Sequence, residues 1–273
     1  MTEPVADPAL TTPLPPPRAP RTPRAYLQWL GGQVGDTGVT PLLILLAVSG
    51  LERFGFEAIG LLTPNIRDSF HISNGTAVAT VSLAAILPAL LSPVAGYLTD
   101  RLNRVRFAQL GAVCVAVVSV GLGVVPWYWA FAILAVAQGF GLLINTPTHS
   151  SLITDYYPPE ALGTAFTIYL FAFAAAALLA SPISGGLAQV VGWRATFLLL
   201  AIPAGLGVVL MGRLREPSRG ASIGLNVERE ERASFAEGFR RVKAVRSLRR
   251  TWWAAAFFGG GAVAFRPIYN IFF

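Results

Sequence analysis

The chain has 273 residues, of which 54% are hydrophobic and only 13% are charged. Soluble domains carry about 25% charged residues, so the composition excludes an ordinary soluble protein and indicates a membrane protein. The net charge is +7 and almost all of the basic residues are arginine. A basic excess can indicate nucleic-acid binding, but in a membrane protein it first reports which loops face the cytoplasm.

The chain divides into a tail, a long apolar region and a linker. Residues 1–39 contain eight prolines by position 23 and no apolar run, which predicts a disordered cytoplasmic tail. Each later apolar segment is long enough, at about 20 residues, to predict a transmembrane helix. The seven segments are 40–62, 77–99, 107–125, 131–153, 163–188, 195–212 and 251–273. We therefore expect a six-helix bundle over 40–212, a linker over 213–250 and a seventh transmembrane helix over 251–273.

The distribution of basic residues predicts the orientation in the membrane. The tail contains three, the loop between the second and third segments three, and the linker eleven, which makes 17. The loops on the opposite side contain only Arg67 and Arg194. The amino terminus and the linker are therefore expected in the cytoplasm, and nucleic acid is not an expected partner.

The linker contains its own helix signal. Ser234 and Glu237 form a capping-box pattern. Phe235, Phe239 and Val242 then recur at helical spacing among basic residues. This pattern predicts a basic amphipathic helix on the inner membrane surface, and a solvated linker helix remains an alternative.

A charged stretch, G-Y-L-T-D-R-L-N-R-V-R-F at 96–107, lies between two apolar segments. Topology accounts for its arginines, but an acid contributes little to topology and is costly near the membrane unless it is paired. The stretch resembles the signature G-x-x-x-D-R-x-G-R-[RK] of the major facilitator superfamily. Asn103 replaces the glycine of the signature, and Arg106 supplies the last basic residue one position late. The matching residues are Gly96, Asp100, Arg101 and Arg104.

Further stretches resemble the same family. D-Y-Y-P-P-E-A-L-G-T-A-F at 155–166 is similar to the family loop D-x-x-P-x-x-x-R-G, with Leu162 in place of arginine. R-E-P-S-R-G-A-S at 215–222 is similar to a segment of spinster-like lipid exporters. The pattern G-P-x-x-G-G of antiporter branches is matched by four residues: Ser181, Pro182, Gly185 and Gly186.

The resemblance implies an all-α membrane protein with two six-helix halves around a central cavity. The chain would supply the amino-terminal six-helix bundle and a seventh transmembrane helix, with the carboxy-terminal half incomplete. The charged stretch would form a cytoplasmic latch between the halves that opens during alternating access. Residues 1–273 alone are therefore expected not to transport, since the partner of the latch is largely missing.

Three charges lie in the middle of the first segment: Glu52, Arg53 and Glu57. Each would cost about 2.5–3.5 kcal/mol at the helix centre without a partner. Arg53 and Glu57 are four residues apart and can pair within the helix. Glu52 needs a partner from another helix, for which we predict Arg266 in the seventh segment. Our hypothesis is that Glu52 binds a coupling proton, and the alternative is a static ion pair that joins the two halves.

The fourth segment contains three further candidate residues for proton or substrate binding: Gln138, Asn145 and His149. Gln138 matches the R-x-x-Q-G pattern of drug antiporters, but Ala135 stands at the arginine position, which disfavours a standard cation–drug mechanism. The E-R-F triplet at 52–54 is similar to a motif of proton-coupled peptide transporters, although Ser49 replaces its first glutamate. Peptide transport is therefore disfavoured.

These patterns predict a secondary active transporter in the cell membrane, with protons, the lipid bilayer and a small molecule as its partners. The leading expectation is proton-coupled export of an amphipathic or lipophilic compound. Import of an organic anion and a non-transporting half-transporter remain alternatives. No nucleotide loop or metal-ligand cluster occurs in the sequence, so we expect no enzyme activity, no cofactor and no metal ion.

Overall fold

The computed structural model describes residues 38–220 and, beyond them, residues 237, 240, 243–251, 253 and 254. The predicted tail up to residue 37, most of the predicted linker helix, and Arg266 with most of the seventh segment lie outside the described residues. Residues 38–220 form helices without strands. The helices are α1 (Thr40–Leu61), α2 (Thr63–Phe70), α3 (Asn74–Leu90), α4 (Ser92–Arg101), α5 (Arg104–Val124), α6 (Tyr128–Tyr156) and α7 (Pro159–Met211).

The second apolar segment is bent rather than straight. α3 and α4 meet at an angle of 46° on either side of Leu91. Pro93 lies in the first turn of α4, where it lacks an N–H and its ring clashes with the carbonyl of the preceding turn. The sequence pattern predicted one helix over 77–99, whereas the proline divides the segment into two.

α7 contains the fifth and sixth apolar segments. Its 53 residues are interrupted at Gly192, whose φ of 81° and ψ of 160° are not helical. That conformation is open almost only to glycine. The break falls between the predicted segments 163–188 and 195–212.

The outer surface of the bundle is apolar. Among the described residues, α5, α6 and α7 are each long and apolar enough to cross a membrane, and the bent pair α3–α4 would make a fourth span. Many large apolar side chains are exposed on these helices, including Leu90, Val117, Ile133, Leu178 and Val190. Such a surface suits contact with lipid, since the backbone groups are satisfied inside the helices.

Two buried clusters hold the helices together, one toward each end of the bundle. The first contains Leu42, Leu45 and Tyr157, and we call its end the arginine-rich end because Arg104 lies there. The second contains Phe131 and Trp193, and we call its end the aromatic end. α1 packs mainly against α7, and α5 packs against both α6 and α7. The centre of α1 is therefore enclosed by three other helices.

Candidate functional site

The three charged residues of α1 are divided into two environments. Arg53 forms the ion pair with Glu57 that the four-residue spacing predicted. The Arg53 guanidinium also lies 4.7 Å from the ring centroid of Phe173 on α7, and its side chain is 22% exposed. Arg53 therefore faces a partly open, mixed aromatic and charged surface, with a carboxylate that offsets its charge.

Glu52 points into the interior of the bundle instead. It is only 3% exposed, and its Oε1 accepts a hydrogen bond from the side-chain amide of Asn145 on α6. Val115 on α5 and Gly207 on α7 line a small crevice that reaches Glu52. The partner from another helix that Glu52 requires is therefore an uncharged amide. The predicted partner, Arg266, lies outside the described residues.

His149 lies one turn from Asn145 on the same face of α6. Its Nδ1 is 3.2 Å from the hydroxyl of Tyr169 on α7, and the two rings meet edge to face. Tyr169 also lies beside Ser49, which is one turn from Glu52 on α1. The structure thus brings Glu52, Asn145 and His149 into one polar cluster. Sequence reasoning did not include Ser49 or Tyr169 in the site, because a lone tyrosine in an apolar helix carries no distinguishing pattern.

Gln138 is buried at a helix contact two turns from Asn145. A methyl group added to Gly55 on α1 would lie 2.6 Å from the Gln138 Nε2 atom, so the two helices approach closely here. Gln138 is 1% exposed. It is therefore positioned between α1 and α6, apart from the cluster of Glu52.

A second group of charged residues surrounds Arg104 at the arginine-rich end. Arg104 is 1% exposed and forms ion pairs with Asp155 and Glu216, the latter at 2.8 Å. Its guanidinium also donates to the Ser151 hydroxyl at 3.0 Å and to the Pro217 carbonyl at 2.9 Å. The positive-inside rule requires only a positive charge in this loop. In the structure Arg104 is buried, and its bonds join the charged stretch 96–107 to the stretches 155–166 and 215–222.

The acid of the charged stretch lies at the surface of this network. The Asp100 side chain is 75% exposed, and its Oδ1 lies 3.9 Å from the Arg219 guanidinium. Arg219 also donates to the Thr99 carbonyl at 3.0 Å. Arg101 is exposed and lies over the Tyr97 ring, at 4.4 Å from its centroid. Asp100 and Arg101 are thus accessible at this end, while Arg104 is enclosed. Gly96 borders open space, since an added methyl group there would meet no atom within 4 Å.

The two tyrosines that end α6 attach the neighbouring chain segments. The Tyr157 hydroxyl accepts a hydrogen bond from the Leu42 amide at 3.0 Å and donates to the Gly38 carbonyl at 3.2 Å. The Tyr156 hydroxyl donates to the Arg215 carbonyl at 2.6 Å. The start of α1 and the segment after α7 are therefore both fixed to the loop between α6 and α7.

The antiporter-like residues lie on an open face of α7. Ser181, Pro182 and Gly186 are exposed. Methyl groups added to Gly185 or Gly186 would meet no atom within 4 Å. At Gly185 and Gly186, the helices that the structure describes therefore make no close contact.

Comparison with known proteins identifies the family to which the chain is similar. A family model described as Major Facilitator Superfamily matches residues 42–273. The tetracenomycin C resistance and export protein of Streptomyces glaucescens is 30% identical over 63% of the chain and 32% of that protein. The membrane sensor protein UhpC of Salmonella typhimurium is 31% identical over 48% of the chain and 30% of that protein. The matches thus span about a third of the length of these relatives.

Solved structures agree with the sequence comparison. A crystal structure of a bacterial homolog of the human lysosomal transporter Spinster, inward-facing and occupied, superimposes with a TM-score of 0.61. The two chains are 25% identical, and the match covers 66% of this chain and 45% of that one. The predicted all-α membrane fold is confirmed.

Proposed function

Because the chain belongs to the Major Facilitator Superfamily, we propose that it is part of a secondary active transporter that exports an amphipathic or lipophilic small molecule. Transport would be driven by protons and would proceed by alternating access. In this proposal the protein lies in the cell membrane, with its amino terminus and arginine-rich end in the cytoplasm. A carboxy-terminal half would complete the central cavity.

The observation that carries the proposal is the environment of Glu52. An ionised carboxylate is costly inside a bilayer, and the partner of Glu52 is the neutral Asn145 amide. The neighbouring cation, Arg53, is paired with Glu57. Protonation of Glu52 would therefore change the charge inside the bundle by one unit, and this is the property that a coupling carboxyl requires.

The surface around Arg53 supports an amphipathic cargo. The guanidinium stacked on Phe173 presents a cation and an aromatic ring side by side, and the paired Glu57 reduces the net charge that a ligand would meet. A compound with an apolar body and a polar group fits such a surface better than a strongly charged ion does. The name of the Streptomyces relative, which includes resistance and export, supports the proposed direction.

The latch would act at the arginine-rich end of the bundle. We assign the contact with the carboxy-terminal half to the exposed Asp100 and Arg101, and the rigid support of their loop to Arg104. The open face of Ser181, Pro182, Gly185 and Gly186 would pack against a helix of the other half, because small residues allow close approach. Both the latch loop and this open face of α7 would need a partner surface formed by residues after 220.

The experiment that tests the proposal uses the complete gene product in inverted membrane vesicles. Uptake of lipophilic fluorescent dyes is measured with and without an imposed pH gradient, for the wild type, Glu52→Gln and Glu160→Gln. Glu160 is an exposed acid in the first turn of α7, so its variant controls for loss of a carboxylate. Glu52→Gln should lose gradient-driven uptake but retain dye exchange, and an unchanged proton dependence in this variant would contradict the proposal.

A second candidate function is proton-coupled import of an organic anion. The partial exposure of the Arg53 side chain favours it, since a guanidinium can bind a carboxylate through two hydrogen bonds. Accumulation of carboxylate compounds in right-side-out vesicles, and none of dyes in inverted ones, would select this function. A protein that moves neither class, in either orientation, would instead be a non-transporting member of the family.

A further inference from the structure

The Glu52 site depends on a close approach between α5 and α6. Gly111 on α5 faces the side-chain amide of Asn145, and a methyl group added to Gly111 would lie 2.7 Å from Oδ1 and 2.8 Å from Nδ2. It would also lie 2.9 Å from the Cγ atom of Asn145. Such distances are shorter than van der Waals contact. The Asn145 amide therefore occupies the space that a side chain at position 111 would fill.

The amide is held flat against this glycine with its two polar atoms at almost equal distances. Rotation of the amide by half a turn exchanges Oδ1 and Nδ2, so both orientations fit the surface of Gly111 equally well. In the observed orientation Nδ2 donates to Glu52. Among the described residues the buried Oδ1 has no hydrogen-bond donor, and a buried acceptor without a donor is costly.

A protonated Glu52 would supply that donor. When the carboxylate gains a proton, Oε1 becomes a hydroxyl and no longer needs the amide N–H. After half a turn of the amide, this hydroxyl can donate to Oδ1. No other covalent bond is formed or broken. One side chain can thus serve both states of the carboxyl, as a donor to the anion and as an acceptor from the acid.

We propose that Asn145, seated against Gly111, is the positioning residue of the Glu52 carboxyl and turns its amide over as Glu52 gains and loses its proton. This inference rests on the proposed role of Glu52 as the coupling carboxyl. It adds Gly111 as a residue that this role requires. The proton site is then formed by residues of three helices, α1, α5 and α6.

Other titratable groups lie on the helices around Glu52. Arg53 and Glu57 lie on its own helix, Cys114 lies on α5, His149 on α6 and Tyr169 on α7. Arg53 and Glu57 are paired with each other, and His149 is bonded to Tyr169. Asn145 is the group whose hydrogen bond to Glu52 is directly observed.

The test measures the protonation of Glu52 itself. The complete gene product is reconstituted in lipid, and its protonated carboxyl band is followed by infrared spectroscopy as the pH is varied. The band of Glu52 is identified by its absence in Glu52→Gln. In Asn145→Ala the midpoint should move to higher pH by about one unit, because a bond to the charged form is roughly twice as strong as one to the neutral form. Gly111→Ala should move it in the same direction.

Two further variants distinguish a shifted midpoint from an effect of misfolding. Gly205→Ala is the control for a glycine substitution, since its added methyl group would meet no atom within 4 Å, and its midpoint should stay at the wild-type value. The double variant Gly111→Ala with Asn145→Ala removes the steric conflict, so it should fold while the midpoint stays shifted. A midpoint within about 0.3 units of the wild type in Asn145→Ala, or a return to it in the double variant, would overturn the inference.

The spectroscopic and transport results separate the two proposals. If Glu52→Gln retains proton-driven transport while Asn145→Ala shifts the Glu52 band, the coupling role is refuted and the positioning role stands. If Glu52→Gln abolishes proton coupling while the band does not respond to Asn145→Ala, the coupling role stands and the positioning role is refuted.

Discussion

Replacement of Arg104 by methionine would remove the cation from the network at the arginine-rich end and keep an unbranched side chain of similar length. Arg104 is 1% exposed and binds Asp155 and Glu216. Removal of one partner from a buried ion pair costs about 3–5 kcal/mol, because the remaining charge stays buried without compensation. A large loss of stability is therefore expected.

The environment of the two acids refines this magnitude. Their side chains are 12% and 27% exposed, so water can solvate them in part. Asp155 keeps a hydrogen bond from the Gly220 amide, and Glu216 keeps one from the Val105 amide. We therefore expect the lower limit, about 3 kcal/mol, which corresponds to a fall in Tm of about 6–12 °C for a domain of this size.

Thermal unfolding in detergent, followed by tryptophan fluorescence, measures this change. Arg106→Met is the matched control, since Arg106 lies in the same turn of α5 but is exposed, and it should alter stability by less than about 0.5 kcal/mol. The triple variant Arg104→Met, Asp155→Asn and Glu216→Gln should recover part of the loss, because it removes the uncompensated charges. Equal stabilities of the Arg104 and Arg106 variants would refute the reasoning.

Two further predictions concern the break in α7 and the end of α6. Gly192→Ala should lower the free energy of unfolding by about 1–3 kcal/mol, since its conformation is strained for other residues. Gly205→Ala, in helical backbone with open space beside it, should show no loss in the same unfolding assay, because alanine favours a helix more than glycine does. Tyr157→Phe should cost about 2 kcal/mol through two lost hydrogen bonds and should accelerate hydrogen exchange at the Leu42 amide; unchanged exchange there would contradict the assigned bond. Burial raises the pKa of Tyr157 to about 12, above its usual value of about 10. The stability of the folded state should therefore fall as the pH rises from about 10 through about 12, because the unfolded state releases the phenol proton before the folded state does.

The local features of this protein could be predicted from its sequence. Apolar segments of about 20 residues predicted helices, and the break in α7 at Gly192 falls between the fifth and sixth predicted segments. The ion pair between Arg53 and Glu57 follows from helical geometry alone. These predictions succeed because each depends on residues within a few turns of one another.

The partners of the buried charges required the tertiary structure. Glu52 and Asn145 are 93 residues apart, and Arg104 is 112 residues from Glu216. No periodicity connects such positions, because the rotation and depth of each helix are decided by packing against its neighbours. The sequence by itself determined that three charged residues lie in the middle of an apolar segment. The packing of the helices decided that Arg104 is neutralised by two carboxylates and that Glu52 faces an amide, since only the assembled bundle brings these atoms together.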